Sequence, residues 1–126
     1  MKIRSVTKIV GVLAGLSVVY AASPLRQAPV GATSRANPYQ GQDRAWRAGR
    51  KLFERECSAC HGKSGQGTEG KPPLATREVA AAAPGAVEWV LRNGSIVRGM
   101  PSFSRLPEAQ RWQIVTFVQT LTGRTE

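Results

Sequence analysis

Cys57, Cys60 and His61 are the only cysteines and the only histidine of the chain, and they fall within one run of five residues, Cys57-Ser58-Ala59-Cys60-His61. Thiols at this spacing can do several kinds of chemistry. A thioredoxin-like redox pair shares the spacing but belongs in a strand-to-helix setting, which the flanking residues lack. A structural zinc site takes four Cys or His ligands, and the chain offers three. A plain disulfide leaves His61 without a role. Covalent attachment of haem c uses all three. At a helix end, thiols at i and i+3 reach the two vinyl groups on one edge of the porphyrin, and the next residue brings its imidazole under the iron. Cys57 and Cys60 are therefore predicted to become thioethers to one haem, with His61 as the proximal iron ligand.

The sixth position of the iron needs a second donor. Met1 and Met100 are the two methionines, and Met1 is lost if the start of the chain is removed. Met100 stands in a polar turn, Arg98-Gly99-Met100-Pro101-Ser102, whereas a methionine that only fills a core sits on an apolar helical face. Met100 is predicted as the second axial ligand. His/Met ligation raises the reduction potential and closes the iron to substrates, which suits electron transfer. The competing reading is an exposed loop methionine over an open iron, giving a haem enzyme or a gas-binding protein. No second His is present to serve peroxide chemistry.

The elements that must position these residues can be read from periodicity. Ala45, Ala48, Gly49 and Leu52, with Phe53 beside them, mark one face of a helix beginning near Gln42. Arg44, Arg47, Lys51 and Arg55 share another face and read as a solvated helix surface in preference to a docking patch. Residues 62–70 hold four glycines and read as loop. Thr76 can cap a short Ala-rich helix, and Pro84 suits the first turn of the next. That helix carries Val87, Val90 and Leu91 on one face and stops at Asn93-Gly94. A last helix begins near Pro107 and Glu108, repeats Ile114, Phe117, Val118 and Leu121 with Trp112 and Val115 alongside, and ends at Gly123. No run alternates as a strand does. The domain, residues 42–126, is predicted to be all helix and loop. So short a chain buries little apolar surface, and a haem would fill its middle.

Ahead of that domain, Lys2, Arg4 and Lys8 precede 14 uncharged residues, Ile9 to Ala22. This is a signal-peptide pattern, shorter than the ~18–20 residues needed to span a bilayer. Cleavage fits after Ala22, with Val30-Gly31-Ala32 as a second site, or the leader stays as an anchor. Residues 23–41, with three prolines and no apolar period, read as a flexible linker. Removing residues 1–22 leaves 15 Lys and Arg against 8 Asp and Glu, a formal +7. Export argues against a nucleic-acid partner, and no basic-aromatic recognition motif speaks for one. An acidic protein face is the expected partner, and a membrane only if the leader remains.

From about Gln42 to Thr122 the chain resembles a class I cytochrome c of the small bacterial monohaem kind. The features that carry the resemblance are Cys57–His61, Pro72-Pro73-Leu74, Met100-Pro101 and an aromatic last helix. It implies a small bundle of three to five short helices and long loops around one haem. It also implies that the first and last helices cross, with Gly49 and Phe53 meeting Ile114 and Phe117. Pro72 is implied as the carbonyl that accepts the proton of the other nitrogen of His61. The function implied is one-electron carriage in the periplasm or at the outer face of the cytoplasmic membrane, between redox proteins such as a periplasmic quinoprotein dehydrogenase and a terminal oxidase. Nothing in it requires a catalytic acid or base. A dedicated subunit of a larger oxidoreductase shares the same chemistry.

Overall fold

The computed structural model describes residues 23–123, and among them there are helices, turns and two isolated bridges but no strand. The leader predicted over residues 1–22 lies outside the described residues. No helix among the described residues is long and apolar enough to cross a membrane. The α-helices are α1 (Val30–Thr33), α2 (Asp43–Glu56), α3 (Ser58–His61), α4 (Arg77–Ala81), α5 (Pro84–Asn93) and α6 (Glu108–Val118), with 3-10 turns at Pro24–Gln27 and Ile96–Arg98.

The local signals explain these boundaries. Thr76 accepts a hydrogen bond from the Val79 amide at 3.2 Å and starts α4, which satisfies one of the unpaired amides of a helix N-terminus. Pro84 opens α5. Asp43 stands in the first turn of α2 and Glu108 in that of α6, where a carboxylate meets the positive end of the helix dipole. The helix ends at Val118, earlier than the apolar repeat suggests, and residues 119–123 continue as turns.

The two long helices α2 and α6 make the main contact of the domain. Ala45, Gly49, Leu52 and Phe53 of α2 are buried, as the stripe required, while Arg44, Arg47, Lys51 and Arg55 are exposed. Gly49 is the crossing point. A Cβ there would overlap the Gln113 carbonyl and stand 3.1 Å from the Phe117 Cβ, so the two backbones approach to a distance only glycine permits. Phe117 then packs its ring 5.2 Å from Phe53 and 5.4 Å from Trp46, edge to face with the latter. Phe53, Ile114 and Val115 are fully enclosed.

Residues 23–41 differ from the expected linker. They pack on the domain: Leu25 and Tyr39 lie against the core, and Ala32 and Asn37 are buried. A Cβ on Gly85 would overlap the Ala32 carbonyl oxygen, so α1 rests directly on the start of α5. The Asn37 amide donates to Thr116 Oγ1 at 2.9 Å inside the protein. Arg35 pairs with Glu88 at 3.3 Å and with Glu108, and lies 5.3 Å over the Trp112 ring. Glu88, almost wholly buried, also receives Arg111 Nε at 2.8 Å. A buried carboxylate needs such partners, because leaving the charge there unpaired costs about 3–5 kcal/mol. The segment is thus held by backbone contact and single polar anchors, which leave no period in the sequence. Its helix α1, together with α3 inside the cysteine motif, brings the α-helices among the described residues to six, against the three to five expected.

Candidate haem site

Helix α3 is a single turn whose first cap is Cys57, itself the end of α2. The amides of Cys60 and His61 both donate to the Cys57 carbonyl, at 3.2 and 2.9 Å. This turn brings the residues of the motif together with different surroundings. Cys57 is buried, Cys60 is exposed and both thiols are unbridged. Burial, with smaller effects of Glu56 and Cys60, pushes the Cys57 thiol up to about 12. A thioredoxin-like pair belongs in a strand-to-helix setting, and no strand is present among the described residues. Among the described residues no three Cys, His, Asp or Glu side chains gather as a metal cage.

His61 is 9% exposed, and its Nδ1 lies 2.8 Å from the Pro72 carbonyl oxygen. A carbonyl can only accept, so Nδ1 carries the proton and Nε2 keeps its lone pair free for a metal. Sequence resemblance pointed to Pro72 for this bond, and the bond is present. The loop that delivers Pro72 is tied down at several points. The Gly67 amide donates to the His61 carbonyl at 2.7 Å, Thr68 Oγ1 to the Cys60 carbonyl at 2.6 Å, and the Leu74 and Ala75 amides to the Gly65 carbonyl. Such an outer partner fixes the ring of a ligating histidine and makes it a better donor.

Met100 is half-buried against the core. Its backbone exchanges two hydrogen bonds with Ser95, at 3.0 and 3.1 Å. The Lys71 side chain reaches the Met100 loop, with its Nζ 3.4 Å from where a Cβ on Gly99 would lie. A second tie joins the motif to the chain beyond Met100. Arg105, lying 5.6 Å over the Phe103 ring, pairs with Glu56, the residue before Cys57. Arg105 and then Arg55 hold the Glu56 carboxyl below the usual carboxylate range. Sequence reading missed this ion pair and the Arg35–Glu88–Arg111 cluster, since partners about 50 and 23 positions apart carry no local signal.

The chemistry of this donor set fits a covalently held haem: two free thiols at i and i+3, and an imidazole whose tautomer leaves Nε2 open. The class defined by fold and site is that of the helical c-type cytochromes. Residues 44–118 match the family described as cytochrome C oxidase, cbb3-type, subunit III, and the chain belongs to this family of class I c-type domains. Among solved structures it is similar to cytochrome CL from the marine methylotrophic bacterium Methylophaga aminisulfidivorans MPT. The identity is 22% over 82% of this chain and 70% of that one, with a TM-score of 0.57. No curated protein matches. The cofactor of the family is haem c, covalently bound, and the protein is an electron-transfer haem protein with redox partners. Acid-acetone extraction of the purified protein is expected to leave all haem with the polypeptide. Haem released into the solvent would contradict attachment through Cys57 and Cys60.

Proposed function

We propose that the chain is an exported one-electron carrier in which Cys57 and Cys60 hold the haem and His61 and Met100 ligate its iron. When bound, the haem iron supplies a one-electron ferric/ferrous couple. The observation that supports the reading is the hydrogen bond from His61 Nδ1 to the Pro72 carbonyl, which orients the ring and leaves the Nε2 lone pair available to a metal. Met100 would supply the second donor, from a loop that the Lys71 side chain reaches. His61 and Met100 would together hold the iron and leave no place on it for a substrate, so the chemistry the group would supply is electron exchange.

The partner surface in this proposal lies around the Met100 loop. Val97 is 99% exposed and Ile96 68%, an unusual placement for two large aliphatic residues. Lys71 beside Gly99 and Arg92 at the end of α5 add positive charge. A partner with an acidic rim around an apolar centre fits this tip, and a periplasmic dehydrogenase on one side and a terminal oxidase on the other are the kinds of enzyme proposed. Export follows from the leader pattern in residues 1–22. The packing of Leu25 and Ala32 favours cleavage after Ala22, because cutting after Ala32 would remove both contacts.

The second-order rate of electron exchange with an acidic redox partner is expected to fall steadily as salt rises from ~10 to ~150 mM, while the Debye length shrinks from ~30 to ~8 Å. Stopped-flow traces at a series of ionic strengths measure this. A rate that climbs with salt would contradict an acidic docking face.

A further inference from the structure

The segment after α5 doubles back onto the helix it has just left. Gly94 ends α5 with φ of 72°, and a Cβ there would stand 2.7 Å from the Pro101 carbonyl carbon and from the Ser102 amide, and 2.8 Å from the Met100 carbonyl oxygen. Only glycine serves both the left-handed backbone and that contact. Ahead of Met100 the loop is fastened by the Ser95 pair. Beyond it, the Phe103 amide donates to the Leu91 carbonyl at 2.8 Å while the Phe103 ring is buried. Between these points sits Ser102. Its hydroxyl donates to the Arg92 carbonyl at 2.6 Å and accepts from the Ser104 amide at 3.1 Å. The Arg92 carbonyl is one of those a helix C-terminus leaves without an intrahelical partner, and Ser102 supplies one two positions from Met100.

We propose that Ser102 is a positioning residue for Met100: its hydroxyl latches the Met100 loop to the end of α5 and so resists departure of the thioether from the iron. The inference rests on Met100 being an axial ligand. Opening the loop exchanges the bond to Arg92 for bonds to water, and closing it restores the bond. One net hydrogen bond of this kind changes such an equilibrium by about three- to tenfold. The latch acts on the loop alone, since the Phe103 ring and the Leu91 bond keep the rest of the segment in the core.

The test is an imidazole titration of the ferric holoprotein, followed by loss of the long-wavelength sulfur-to-iron charge-transfer band. Ser102→Ala is expected to raise the apparent imidazole affinity by about three- to tenfold, and Ser102→Thr, which keeps the hydroxyl, is expected to restore the wild-type value. Thr33→Ala is the control. It removes a hydroxyl bonded to a helix carbonyl at 3.0 Å, far from the loop in sequence, and is expected to leave the affinity unchanged. A wild type without the band overturns the Met100 assignment and the latch together. A wild type with the band whose Ser102→Ala variant binds imidazole no better overturns the latch alone, as does a Thr33→Ala variant shifted equally.

Discussion

Gly49→Leu is expected to leave no stably folded protein at ordinary temperature. Gly49 lies where α2 and α6 cross, and even a methyl group there would overlap the Gln113 carbonyl. A backbone carbonyl cannot rotate aside as a side chain can, so the helices must separate. Separation strips the Phe117 ring from Phe53 and Trp46 and opens the contact that organises the domain. Overpacking usually costs ~1–3 kcal/mol where side chains can adjust, and here the obstacle is backbone, so the cost exceeds that range. Phe117→Ala, which deletes the ring without forcing the helices apart, is expected to cost about 3–5 kcal/mol. Either is a large share of the ~5–15 kcal/mol that keeps a small domain folded. Thermal melts followed by circular dichroism measure both. A Gly49→Leu variant that melts with wild type would show that the helices do not cross there.

Met100→Ala is expected to change the protein's chemistry while sparing its fold. Met100 is half-buried at the edge of the core, and its backbone bonds to Ser95 survive the substitution. Removing the thioether leaves the iron without its proposed second protein ligand, and His61 is the only histidine in the chain. The ferric form should lose the charge-transfer band completely, the reduction potential should drop, and exogenous ligands should bind. His61→Ala is expected to be more damaging, because it removes the proposed proximal donor together with its bond to Pro72 and impairs haem incorporation. A Met100→Ala variant that retains both band and potential would place the second ligand elsewhere.

What the sequence made legible follows from how each element is held. Helices α2 and α5 bury residues at helical spacing, Ala45, Gly49, Leu52 and Phe53 in one and Val87, Val90 and Leu91 in the other, whereas α6 is buried nearly all round from Arg111 to Val118. The Cys57–His61 run is local, and its turn follows from five adjacent residues. Pro72 is eleven positions from His61 and came through resemblance, not through any period. The segment at 23–41 was misread for a physical reason. It docks through scattered contacts, Leu25, Ala32, Arg35 and Asn37, against glycine backbone and buried polar groups, and its prolines mimic a tether. Glu88 was likewise invisible as a buried ion: its charge suggests solvent, and only Arg35 and Arg111, brought in from two other segments, make its burial tolerable. The collision partner of Gly49 is the Gln113 backbone, which no side-chain pattern reports.

Carbon monoxide tests the central claim most directly. The exported wild-type protein, reduced with dithionite at neutral pH, is exposed to carbon monoxide while its Soret and visible bands are recorded. If His61 and Met100 both hold the iron, the spectrum should stay that of the six-coordinate ferrous protein, and the oxidised sample should show the sulfur-to-iron band. Rapid conversion to a carbon monoxide adduct, together with absence of that band, would contradict a closed electron carrier and establish an open iron instead.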